Sequence, residues 1–225
     1  MTDRRYGAPG PAGPPPEAGD LRLEHLAREQ AEVQRRRARF LGKWLHALLW
    51  VEIAAIPLGL LLRDSALEKA VSALLFLVRG ALFLKMADQE DAYLPAGAWT
   101  IAYAVLSVPA GLLSPLLVYP ALAVPALLAA AALSAVCAHF ECRAHQEALL
   151  GVDQRLSALW EKIRKCSIAL SALAVLPALL MGAAVRLGLS LLLAVALAGV
   201  ALSIVRLACL CLTARALSSR EPGAG

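Results

Sequence analysis

The chain is predicted to be all-α, a polytopic transmembrane helical bundle of six spans with a small cytosolic helical extension. Three observations predict this. Of its 225 residues, 60% are hydrophobic and the mean hydropathy is +0.66, beyond the usual range of a water-soluble domain. The stretch from Ala92 to Ala138 has no charged side chain. At about 1.5 Å per helical residue it can cross a hydrocarbon core of roughly 30 Å twice. Finally, Lys and Arg are concentrated in every second gap between apolar runs, the asymmetry that orients membrane proteins.

Residues 1–19, with Pro9, Pro11, Pro14, Pro15 and Pro16, have little to bury and are expected to be disordered. They lack the apolar core of a cleavable signal peptide, so the first span is expected to be retained. Asp20 reads as the N-cap of a cytosolic amphipathic helix over residues 20–43. Leu26, Val33 and Phe40 recur every seven residues, and Glu24–Arg28 and Glu32–Arg36 form i,i+4 pairs. Arg35, Arg36, Arg37, Arg39 and Lys43 close this helix as a positive-inside signal suited to anionic lipid headgroups.

The bundle occupies residues 44–212, with spans at Trp44–Leu62, Ala70–Met86, Ala98–Leu113, Leu116–Phe140, Cys166–Val185 and Leu187–Leu210. One side carries the N-terminal cluster, Lys85, then Arg143, Arg155, Lys162, Arg164 and Lys165, and finally Arg215 and Arg220. The other has only Arg63 and Lys69 beside Asp64 and Glu68, an uncharged turn near Ser114, and Arg186. An even number of spans with both termini cytoplasmic fits this bias, and residues 213–225 form a short flexible tail. Pro57, Pro109 and Pro177 sit at similar depth in the odd spans, which suggests three helical hairpins, each with a kinked first arm. Mitochondrial carriers share a layout of three hairpins, but their motif needs an acid two residues after each proline. Gly59, Gly111 and Leu179 stand there, so that family is excluded.

Residues 141–165 form the largest cytoplasmic connection. Leu149, Val152, Leu156, Leu159 and Ile163, with Trp160, follow helical spacing. Gly151 followed by Asp153 reads as a helix stop and a new N-cap, giving a cytosolic hairpin. Its apolar face needs a cover, and Leu26, Val33 and Phe40, or a second copy of the chain, would supply it.

Charges inside the spans carry the functional expectations. Glu52 lies eight residues beyond Trp44, and Arg79 seven before Met86, so both lie about 10–12 Å from the same face. A lone mid-helix charge costs on the order of 3 kcal/mol, so the two should face each other. They form either a structural ion pair or a proton or cation site with its counter-charge. Arg206 is close enough to the inner end to snorkel, and His46 and Lys85 read as interfacial. Trp44, Trp99 and Tyr93 suit an aromatic belt.

Cys137, His139, Glu141, Cys142 and His145 cluster where span four leaves the membrane. Cys137, His139, Cys142 and His145 are metal-ligand types, but one helix cannot aim them all at one ion. The five cysteines show no disulfide framework. No phosphate-binding loop, nucleotide-binding glycine pattern or hydrolase elbow occurs, so neither an enzyme nor a cofactor is expected. The expected protein resides in a bacterial cytoplasmic membrane, consistent with its Ala-, Leu- and Arg-rich composition. Its partners are the lipid bilayer and a second copy or membrane partner met through cytosolic helices, with no nucleic acid. Transport of a small solute or ion is the alternative role.

Overall fold

A computed structural model describes residues 18–62, 66–112, 120–181 and 185–219. Most of the Pro/Gly-rich segment, the turn near Ser114, Arg63, Asp64 and Arg220 lie outside the described residues. Among those described, seven α-helices and no strand are present: α1 Ala18–Leu61, α2 Ala66–Ala87, α3 Tyr93–Leu112, α4 Pro120–Ala148, α5 Gln154–Leu173, α6 Leu176–Met181 and α7 Val185–Ser218. The helix expected over residues 20–43 and the run expected as the first span are thus one continuous element; nothing between Phe40 and Trp44 stops a helix.

The chain divides into two compact units, Met1–Arg36 and Arg37–Gly225. In the first, residues 25–36 are all exposed, with Leu26 at 47% and Val33 at 65%. The second holds the bundle. Its helices pack as α2 on α3, α3 on α4, α4 on α5, and α7 on both α5 and α6.

Among the described residues, four helices are long and apolar enough to cross a membrane: those containing His25–Gly59, Leu67–Ala87, Pro125–Ala148 and Arg186–Ser218. Residues 98–112 of the run expected as span three lie within α3, and Leu113 lies outside the described residues. The run expected as span five is interrupted, because α5 ends at Leu173 and α6 begins at Leu176. Pro177 explains the break: it lacks an N–H and its ring crowds the carbonyl four residues earlier. Pro57, by contrast, stays inside α1. Equivalent prolines therefore have different outcomes, which weakens the expected threefold repeat.

The buried core lies at one end of the bundle. It joins Leu41, Leu45 and Leu48 of α1, Phe83 and Met86 near the end of α2, and Tyr93 at the start of α3. Cys142 of α4, Leu149 in the turn after it, Trp160 and Ile163 of α5, and Cys209, Ala214 and Leu217 of α7 complete it. The α4–α5 turn is shaped as its residues demand. Gly151 adopts φ +76°, open to glycine, and Asp153 caps α5 by accepting from the Arg155 and Leu156 amides at 2.9 and 3.1 Å. The apolar face of this hairpin is covered by α1 and α7 residues of the same core; Leu26 and Val33 remain exposed.

Helices α2 and α3 cross closely at two glycines. A Cβ on Gly80 would lie 2.5 Å from Ile101 Cγ1, and one on Gly97 would lie 3.0 Å from the Gly80 carbonyl oxygen. Away from the core, the helices expose apolar side chains. The most apolar window of α7 is only 6% buried within the protein, and that of α4 only 11%.

Candidate functional site

Four charges from four helices meet at the boundary between the core and the exposed apolar region. Arg79 of α2 and Glu141 of α4 form the buried centre, their side chains 11% and 5% exposed, and they are directly hydrogen-bonded. Glu52 of α1 lies 3.1 Å from Arg79, Oε1 to Nη1. Arg206 of α7 donates from Nη2 to Glu141 Oε1 and lies 3.9 Å from Glu52. Two acids and two bases give no formal net charge, as desolvation demands of buried ions. Glu52 and Arg206 keep 27% and 29% of their side chains exposed, so the flanks are open while the centre is closed.

Below this quartet lies a buried aromatic layer. His145 follows Glu141 by one helical turn and is fully buried. The Tyr93 hydroxyl lies 3.0 Å from His145 Nδ1. With Tyr93 donating, the ring proton sits on Nε2, 3.8 Å from Glu141 Oε1. Burial pushes the Tyr93 hydroxyl well above the ordinary phenol range, which keeps it a donor. Trp160 packs 4.4 Å from the imidazole, and its Nε1–H donates to Thr213 Oγ1 at 2.9 Å. Phe83 stacks on Tyr93 and lies 5.6 Å from the Arg79 guanidinium. Two of the groups beside Glu141, Arg79 and His145, are therefore themselves held by packed aromatic side chains.

Three clefts reach the quartet. One of about 100 Å³ between α1 and α2 is lined by Glu52, Glu68, Ser72 and Arg79. A second, of about 410 Å³ among α4, α5 and α7, is lined by Ser134, Ser167, Ser171, Ser203 and Arg206. The third, of about 740 Å³ between α1 and α7, includes both Glu52 and Arg206.

Several sequence expectations change here. Arg206 does not snorkel but pairs with Glu141, because another helix presents an acid at its level. Glu141, expected in the Cys/His cluster, is the hub of the charge network. The Cys137, His139, Cys142 and His145 group is dispersed by the helical turn. Cys137 Sγ donates to the Trp99 carbonyl at 3.4 Å, His139 meets Phe140 edge-on, Cys142 enters the core and His145 bonds Tyr93. No three His, Cys, Asp or Glu side chains among the described residues converge to hold a metal ion. Tyr93 is buried rather than part of a belt, while Trp99 stacks on Phe140. Trp44 is half-buried, with Lys43 over its ring. Arg35, Arg36, Arg39 and Lys43 are exposed, but Arg37 is paired with Glu90 of the α2–α3 turn. His46 Nδ1 hydrogen-bonds the Gly42 carbonyl, and Lys85 pairs with Asp88 at 2.6 Å.

The quartet's hub was missed because a sequence reports depth along each helix but not which helices touch. The available signal was depth itself: Arg79, Glu141 and Arg206 each lie inward of a basic helix end. Comparison with known proteins finds no matching family model, no matching curated protein and no matching solved structure, so function must be read from this geometry.

Proposed function

We propose that this chain is a non-enzymatic, multi-pass component of a bacterial cytoplasmic membrane that acts by self-association through its N-terminal helix. The observation that carries this reading is the water-side exposure of Leu26 and Val33, seven residues apart on a helix whose residues 25–36 are all exposed. Lipid cannot cover a stripe outside the apolar span, and a helix polar on its other faces gains from pairing with a copy. Six passages with both termini cytoplasmic complete the proposal. Its support is the shared core, which gathers the C-terminal ends of α2, α4 and α7 with the starts of α3 and α5. In this reading α3 and the α5–α6 pair carry the chain outward between inward passes. Exposed Arg35, Arg36, Arg39 and Lys43 would then contact anionic headgroups.

The test is particle mass in detergent or nanodiscs with Leu26→Glu and Val33→Glu together. Conversion of a dimer or larger particle to a monomer is expected. A chain that is monomeric before the substitutions, or a particle unchanged by them, overturns self-association; a partner protein would then be the occupant.

A second reading, transport of a small solute or ion, is favoured by one observation: the clefts reach Glu52, Arg79 and Arg206. Glu52→Gln should then abolish flux into proteoliposomes while the fold survives. Flux equal to wild type would sink it.

A further inference from the structure

The largest cleft has a chemical asymmetry beyond what self-association uses. Its α1 wall offers Glu52 and its α7 wall offers Arg206, 3.9 Å apart and each more than a quarter exposed. Arg79 and Glu141 lie behind them and hold them in place. The rest of the lining is apolar or small: Ala55, Ile56, Gly199, Val200, Ser203 and Ile204. Ile56, Val200 and Ile204 are 56–63% exposed, so this wall opens sideways onto the surface that lipid covers. Along α7, the lining extends from Leu210 to Ala196, and its stretch between Arg206 and Ala196 covers about 15 Å at helical rise or half the hydrocarbon core.

We propose that this cleft binds a zwitterionic amphiphile of the phosphatidylethanolamine type. Its ammonium meets Glu52, its phosphate meets Arg206, and an acyl chain lies along Ile56, Val200 and Ile204. A purely anionic head gains Arg206 but is repelled by Glu52 beside it; a purely cationic head has the reverse problem. A head carrying both signs satisfies both walls and leaves the quartet neutral. The apolar wall selects a ligand with a tail, and the lateral opening selects one that arrives through the bilayer. The proposal rests on the membrane reading and is independent of self-association.

The test is native mass spectrometry of the full chain, titrated with dioleoyl phosphatidylethanolamine or dioleoyl phosphatidylglycerol. The zwitterionic lipid should be retained about tenfold better. Val200→Trp fills the cleft from an exposed position away from the quartet, and should abolish that retention at unchanged thermal stability. Glu52→Gln removes the repelling anion and should shift the preference about tenfold toward phosphatidylglycerol. Equal retention of the two lipids, an unaltered ratio in Glu52→Gln, or undiminished binding in Val200→Trp each overturns the proposal. Glycerophosphoethanolamine, the same head without tails, should fail to displace the lipid at equal concentration. Displacement would show that a water-soluble zwitterion, not an amphiphile, is the ligand.

Discussion

The packed end of the bundle and its far helical halves are built from similar aliphatic residues yet are packed differently. At the packed end, Leu41, Leu45, Phe83, Trp160 and Leu217 are all at most 1% exposed, and the polar groups among them meet one another. Farther out, Leu74, Leu128, Leu193, Leu197 and Ile204 are each more than half exposed. On the membrane reading proposed above, what differs is the solvent. Near water, stability comes from burying apolar area inside the protein, so side chains interdigitate. In the bilayer, lipid tails solvate leucine as well as a neighbouring helix does, so tight packing there needs small residues or polar contacts. Gly80 against Gly97 is the small-residue device, and the charge quartet is the polar one. The two regimes meet at Glu141.

This contrast ranks the expected effects of substitution, each read as thermal stability in a defined detergent. Glu141→Leu comes first: it leaves Arg79 and Arg206 facing each other with only Glu52 between them, and should cost about 3–5 kcal/mol. Trp160→Ala opens a cavity in the inner core and deletes the hydrogen bond to Thr213, costing about 3 kcal/mol. The double change Glu52→Leu, Arg79→Leu leaves Glu141 and Arg206 as a neutral pair, so its loss should be clearly smaller than that of Glu141→Leu alone. A larger loss would show that Glu141 is not the hub. Glu52→Gln should cost only about 1 kcal/mol, since Arg79 keeps Glu141. Leu193→Ala, on the lipid-facing half of α7, should stay within about 0.5 kcal/mol. If it matched Trp160→Ala, the outer half would be a packed interface rather than a solvated surface.

The parts legible in the sequence were those set by one helix at a time. The helical character of residues 20–43, the Gly151–Asp153 turn and the facing depth of Glu52 and Arg79 follow from local spacing. A charged substitution at Ile163 is expected to disrupt folding, because Ile163 is 2% exposed in the core. The cover over the hairpin's apolar face was illegible because Leu41, Leu45 and Leu217 look like ordinary span residues. Arg206 was misread for the same reason: snorkelling and pairing demand the same depth, and only the neighbouring helix decides between them. Pro177 breaks its helix and Pro57 does not, a difference of tertiary context that their similar flanking residues conceal.

The order of the four charges along the chain has a consequence for biosynthesis. Ribosomes deliver them as acid, base, acid, base: Glu52, Arg79, Glu141, Arg206. When Arg79 enters the bilayer, Glu52 is already there to receive it; Arg206, emerging last, finds Glu141 in place. The uncompensated charge among these four therefore never exceeds one, although the completed site unites residues more than 150 positions apart.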